Sequence, residues 1–218
     1  MSLKIAIDGP SGAGKSAIAK ALAKRLDYEY IDTGSLYRTI AYIATEIAKT
    51  DDVEEILKAC DKVRIGYENG AVTLDGSPLG DVIRTEAISQ KTSELSKNPN
   101  VRQYLLQLQR RLAENGGTVM EGRDIGTVIL PDAEVKFFLT ASEEERARRR
   151  YLQRKELGET VDLKTIQADL HKRDLRDRTR EIAPLKQAED AVVIDSTNLG
   201  EDEVIEKMLH YVEKASVL

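Results

Sequence analysis

One cysteine, two phenylalanines, five prolines and no tryptophan are present in 218 residues. The lone thiol, Cys60, cannot close an internal disulfide, so the fold has to hold without one, as suits a reducing cytoplasm. With five prolines and 14 glycines the chain is neither collagen-like nor a low-complexity tract. No apolar run approaches the ~20 residues that cross a bilayer; Ala191-Val192-Val193-Ile194 is among the longest. Met1 to Lys4 leads straight into an apolar stretch without the charged, apolar and small-residue regions of a signal peptide, and a cytoplasmic protein with no membrane partner is expected. An excess of positive charge is lacking too: 33 Lys and Arg face 38 Asp and Glu, a formal net charge of -5. Bulk attraction to a nucleic acid polymer is not supported, so any anion has to be bound by a local arrangement.

The chain does have 41% hydrophobic and 33% charged residues, the composition of a folding globular protein. Its length suits one core with a small inserted lobe but not two full domains, so residues 1–218 are expected to form a single domain; a monomer is expected, although the sequence itself does not give oligomeric state. Leu3 to Ile7 is apolar, ends at Asp8-Gly9-Pro10, and is followed by Ile18, Ala21, Leu22 and Leu26 at helical spacing. The alternation of strand and helix recurs at Tyr28 to Ile31 before a helix from about Ser35, at Thr118 to Met120, at Val135 to Leu139, and at Ala191 to Ile194 before a helix over Glu201 to Ala215. Such alternation predicts an α/β fold: a parallel sheet with helices on both faces. Asn98-Pro99 opens a helix with an apolar stripe at Val101, Tyr104, Leu105, Leu108 and Leu112, closed by Gly116-Gly117, and Ser142 with Glu145 predicts a capping box. One stretch departs from the pattern. Val63, Ile65 and Tyr67 alternate up to Asn69-Gly70, then Val72 and Leu74 up to Asp75-Gly76, a β-hairpin placed in an inserted lobe of about residues 60–92.

Gly9-Pro10-Ser11-Gly12-Ala13-Gly14-Lys15-Ser16 matches the G-x-x-x-x-G-K-[ST] phosphate loop between a predicted strand and a predicted helix. The glycines let successive N–H groups face phosphate oxygens, Lys15 reaches the β- and γ-phosphates, and the Ser16 hydroxyl ligates the Mg2+ that arrives with ATP. Neither an N-K-x-D guanine site nor a D-x-x-G switch accompanies it, which argues against a signalling GTPase. Arginines accompany it instead: Arg38, Arg102, Arg123, and Arg173, Arg176, Arg178 and Arg180 interleaved with Asp174 and Asp177. Planar guanidinium forks suit a second phosphate, although solvated surface arginine is an alternative for each. The run Glu143 to Arg154 has two readings. It is a solvated helix with i, i+4 pairs Glu144–Arg148 and Glu145–Arg149, or a short helical lid, about 146–160, whose Arg146 and Arg150 close on the transferred phosphate, with Gly158 as its stop. His171, His210 and Cys60 have no companions at metal-ligand or triad spacing and are read as structural or surface residues.

The blocks I-D-G-P-S-G-A-G-K-S at 7–16, D-T-G-S-L-Y-R at 32–38, E-G-R-D-I-G-T-V-I-L-P-D-A at 121–133 and R-D-L-R-D-R at 173–178 resemble the bacterial cytidylate kinases over essentially the whole chain. The resemblance implies a P-loop three-layer α/β/α fold and transfer of the γ-phosphoryl group of ATP to CMP or dCMP. It further implies that Thr33, Arg102 and Asp124 face cytosine, that Ser93, Arg173 and Asp177 face the ribose, and that Arg38, Arg123 and Arg180 hold the monophosphate. Lys15, Arg38, Arg123 and Arg180 would be the catalytic cations. Many members carry Ser where this chain has Thr33, which retains the hydroxyl. The loop Ser196 to Leu199 is a candidate for adenine contacts, with an ordinary turn as the alternative. A kinase for another nucleoside monophosphate or a small alcohol, or a nucleotide sensor without turnover, are the competing readings.

Overall fold

The computed structural model describes residues 2–156 and 158–216; residues 1, 217 and 218, and residue 157 inside the segment expected as a lid, lie outside the described residues. Five parallel strands form the main sheet in the order β2-β6-β1-β7-β8. In chain order these are β1 (Lys4–Asp8), β2 (Glu29–Asp32), β6 (Thr118–Gly122), β7 (Val135–Thr140) and β8 (Val192–Asp195), while β3 (Ile65–Glu68), β4 (Ala71–Leu74) and β5 (Ser77–Pro78) form a separate antiparallel sheet. The helices are α1 (Lys15–Leu26), α2 (Thr33–Tyr42), α3 (Val53–Cys60), α4 (Glu86–Leu95), α5 (Pro99–Leu112), α6 (Glu143–Glu156), α7 (Leu163–Thr179) and α8 (Glu201–Ser216).

The central position of β1 follows from its composition. Ile5, Ala6 and Ile7 are fully buried, and both edges of the strand are paired, Ile5 with Val119 on one side and Val135 on the other. Side chains alternate across the pleat, so Ile5 and Ile7 join Val119 and Phe137 under α1 and α8, whereas Ala6 joins Ile31, Met120 and Leu105 on the opposite face. Fully buried side chains on both faces are what a parallel sheet between two helical layers requires. Register carries Asp8 level with Gly122 and Phe138, and Asp32 level with Glu121. The polar residues that end the strands therefore collect along one edge, where ligands bind in open α/β sheets.

Local signals are realised with two differences. Asn98 caps α5 through bonds from the Asn100 and Val101 N–H groups, at 2.9 and 3.3 Å. Ser142 Oγ likewise accepts from Glu145 N at 3.2 Å, but the Glu145 carboxylate turns away to Arg148 and Arg149, so only half of the capping box forms. The hairpin is extended by a third strand, β5, two exposed residues too short to show a period. Both turns of that sheet place two successive residues at positive φ, Asn69-Gly70 and Asp75-Gly76, as tight hairpins need. Tyr67 Oη contacts the Asp32 N–H at 3.0 Å and ties the small sheet to the end of β2. β8 lies at the sheet edge, which leaves Val193 half exposed where the apolar run predicts a buried strand.

Candidate active site

The loop between β1 and α1 is shaped by close packing. A Cβ on Gly9 would stand 2.0 Å from the Leu139 carbonyl oxygen, and one on Gly12, at φ +77°, would stand 3.2 Å from Arg146 Cβ. Only glycine lets the loop approach β7 and α6 this closely. Lys15 is buried, its ammonium donating to the Pro10 carbonyl at 2.8 Å. Burial first, and the Arg123 charge second, lower its pKa to about 7. Ser16 Oγ donates to the Glu121 carboxylate, which also accepts from Tyr30 Oη at 3.1 Å.

Two carboxylates fix the loop and its neighbour. Asp8 accepts from the N–H groups of Ile125 and Gly126 at 2.8 and 2.7 Å and so pins the start of the turn after β6, which carries Arg123 and Asp124, beside the phosphate loop. Burial outweighs those two bonds and pushes the Asp8 pKa up to about 6. Asp174 of α7 accepts from Ser11 N at 3.1 Å, while Arg146 of α6 donates to Ser11 O at 2.8 Å and to Asp174 at 2.5 Å. Arg146 is thus an interior anchor, and the reading of it as a solvated surface arginine is corrected. In the same helix Glu145 takes both Arg148 and Arg149, so among the described residues the expected Glu144–Arg148 pair is absent.

The residues singled out from the sequence converge beside this loop. Thr33 Oγ1 donates to the Glu121 carbonyl at 2.8 Å, beneath Gly122. Asp124 is clamped by Arg102 at 2.6 Å on one oxygen and by Arg180 at 3.2 Å on the other. Asp177 holds Arg123 at 2.9 Å, and Arg176, from the same helix, donates to Ser93 Oγ at 3.1 Å. Arg102 lies over the Tyr37 ring, 5.8 Å from its centroid. Arg38 and Arg173 make no ion pair or side-chain hydrogen bond among the described residues. Partial loss of hydration and the Arg123 charge lower the Arg173 pKa to about 10, with Arg38 adding to the repulsion. A cation-rich cluster in which several arginines lack full compensation favours an anion. Arg178 is exposed and takes no part in this network.

Ser16 and Glu121 supply a hydroxyl and a carboxylate at the mouth of the loop, hard oxygen donors of the kind Mg2+ takes. No cluster of three or more His, Cys, Asp or Glu suited to a metal stands among the described residues. The donor set therefore fits a cation that brings its other ligands with it, as a nucleotide-bound Mg2+ does. Near the last strand, Arg149 donates to Ser196 Oγ and to Ser196 O at 3.0 and 2.5 Å, so the Ser196 to Leu199 loop is fixed to α6.

Asp8, Glu121 and Tyr37 join the site although the motifs assign them no role, and Arg146 and Asp174, singled out for other reasons, pair with each other. For Asp8 a signal existed, a carboxylate ending an otherwise apolar strand. The pairing of Arg146 with Asp174, 28 residues apart, has none in the sequence.

The cytidylate kinase family model matches residues 5–214. A cytidylate kinase of Caldicellulosiruptor saccharolyticus is 49% identical over 212 residues, covering 95% of this chain and 94% of that protein. One from Geobacter sulfurreducens is 51% identical over 211 residues, covering 94% and 91%. Among solved structures, a shikimate kinase from Bacteroides thetaiotaomicron aligns over 100% of both chains with a TM-score of 0.51 at 16% identity, a likeness of fold.

Proposed function

The chain belongs to the cytidylate kinase family, and from that premise we propose how its own residues carry out ATP-dependent phosphorylation of CMP and dCMP. The observation that carries the assignment of roles is the juxtaposition of a phosphate loop with an Arg/Asp cluster, linked through Asp8 and Asp174.

In this reading the loop 9–16 holds the ATP phosphates, with Lys15 on the β- and γ-phosphates, and Ser16 with Glu121 holds the Mg2+. When bound, Mg2+ would supply charge neutralisation on the nucleotide's phosphates. Arg38, Arg123 and Arg180 hold the acceptor phosphate, Ser93, Arg173 and Asp177 the ribose, and Thr33, Arg102 and Asp124 the base. An acceptor phosphate has a second pKa of about 6 and is already mostly a dianion at neutral pH, so no general base is needed. One of its oxygens forms the new P–O bond while the bond from the γ-phosphorus to the bridging oxygen breaks, and ADP leaves with the electron pair. The protein's task is to offset repulsion between two polyanions and to align them.

Cytosine presents an amino donor that Asp124 can accept while Arg102 donates to the ring acceptors; uracil turns a carbonyl toward the same carboxylate. Such a mismatch of a buried acceptor costs about 1–3 kcal/mol, enough for preference without absolute exclusion. Residues 60–92 act in this reading as an inserted lobe beside the acceptor and the part of 146–160 beyond the Arg146 anchor as a lid, in a monomeric cytoplasmic enzyme that needs neither a nucleic acid polymer nor a membrane.

The test is ADP release from magnesium-ATP with CMP, dCMP, UMP, AMP and GMP each offered as acceptor. Strong turnover on CMP and dCMP with weak UMP is expected. Activity confined to another acceptor, or binding of ATP with no product from any, overturns the cytosine assignment. Lys15→Ala should lower kcat by orders of magnitude in a folded protein.

A further inference from the structure

Two of the three arginines assigned to the acceptor phosphate, Arg123 and Arg180, are each held by a carboxylate assigned to a different part of the same substrate. Arg123 pairs with Asp177, the ribose reader, at 2.9 Å, and Arg180 with Asp124, the base reader, at 3.2 Å. Both aspartates are largely buried, and Asp124 accepts from Arg102 on one oxygen at 2.6 Å while the other faces the Arg180 charge. A cytosine amino group arriving at Asp124 therefore meets an acceptor already engaged by two guanidinium groups.

Of the two guanidinium contacts to Asp124, that of Arg180 is the weaker. Its Nε is anchored on the Ala183 carbonyl at 2.5 Å, whereas its Nη2 is buried with no hydrogen-bond partner: it stands near Asp124 in charge but not in hydrogen-bond geometry. A buried donor left in that condition favours any better acceptor that reaches it. A phosphate dianion, with three oxygens and the larger charge, outcompetes a carboxylate already shared with Arg102.

Resting on the residue roles proposed above, we propose that base and ribose reading are gated by the phosphate. The acceptor phosphate draws Arg180 from Asp124 and Arg123 from Asp177, and the freed carboxylates then read cytosine and the ribose. Arg123 and Arg180 thereby determine specificity at groups they do not touch, and a nucleoside without its phosphate has to displace both ion pairs unaided. The coupling is reciprocal, so an anion in the arginine cluster strengthens binding of the nucleoside and the nucleoside strengthens binding of the anion.

The experiment measures cytidine binding to the whole protein by calorimetry or ligand-observed NMR, with and without inorganic phosphate, using sodium chloride at equal ionic strength as the control. In the natural sequence, phosphate should tighten cytidine binding at least fivefold and chloride should not. In Arg180→Met, checked for folding by circular dichroism and CMP-independent melting, cytidine should bind at least fivefold tighter than to the natural protein, and added phosphate should then give little further gain. Arg123→Met should reduce the phosphate effect by a similar factor. If phosphate leaves cytidine affinity unchanged in the natural protein, or if Arg180→Met binds cytidine no better, including no detectable binding to either, the gating is overturned. A protein that binds and phosphorylates CMP but lacks this coupling refutes only the gating; one that fails to use CMP at all refutes the function from which it was built.

Discussion

Asp174 and Arg146, from two helices joined by a short connection, meet at 2.5 Å in the interior and grip the two sides of one peptide residue, Ser11. The phosphate loop is thus held from outside by α6 and α7, and α7 also carries Arg173 and Asp177 on the acceptor side. One helix therefore links the phosphate loop to the Arg/Asp cluster.

Removing one member of that pair should be costly. Asp174→Ala leaves Arg146 buried without its counter-charge and Ser11 N–H without an acceptor, a loss of about 3–5 kcal/mol by comparison with other broken buried pairs. Urea unfolding of Asp174→Ala and of the double variant Arg146→Met/Asp174→Ala measures it. The double variant should recover part of the loss, and a double variant no more stable than Asp174→Ala would show that the isolated charge is not the cause.

Neutralising Lys15 separates its two effects. With its pKa lowered from the ordinary 10.5 to about 7, the folded state binds fewer protons than the unfolded chain across that window. The destabilisation is complete below about pH 7 and is relieved as pH rises toward 10.5. Lys15→Met should therefore melt a few degrees higher than the natural protein near pH 6.5, on the scale of about 2–4 °C per kcal/mol. The gap should close toward pH 10, while kcat collapses. Equal melting temperatures at both pH values would place the lysine in water rather than in the interior.

Asp8 predicts the opposite slope. Its pKa, raised from 3.8 to about 6, means that the folded state binds more protons between those values, so stability falls as pH rises from about 4 to 6. Asp8→Asn should remove that part of the slope. It also replaces one of two backbone acceptors by an amide NH2, leaving an N–H of Ile125 or Gly126 unmet at about 1–3 kcal/mol. The KM for CMP should rise more than that for ATP, because the turn that loosens carries Arg123 and Asp124. Thermal melts across this pH range and steady-state kinetics test both statements.

Two glycine substitutions should part ways. Gly9→Ala drives a Cβ to 2.0 Å from the Leu139 carbonyl, backbone that cannot yield cheaply, and should leave a poorly folded protein with little activity. Gly76→Ala meets nothing within 4 Å, so only its φ of +80° resists it, a strain of about 1–2 kcal/mol. Equal melting temperatures for the two variants would refute the close approach at Gly9.

The sequence by itself determined the alternation of strands and helices, the phosphate loop and the tight turns, because each of these is encoded by neighbours. Period, capping and the positive φ of Asn69-Gly70 are local properties that packing here reinforces. The same residues did not reveal the third strand of the small sheet, since Ser77-Pro78 is too short to carry a period, nor the exposure of Val193, since an apolar run is the same in the centre of a sheet and at its edge. Charged residues were the least legible. Arg146 and Arg148 are written alike within one basic run, yet one is buried against Asp174 and the other lies exposed on Glu145. Which arginine meets which carboxylate depends on strand order and helix rotation, and those are settled by burial of apolar surface across the whole chain. Only the tertiary structure could decide that Asp124 is held by Arg102 and Arg180, and Asp177 by Arg123.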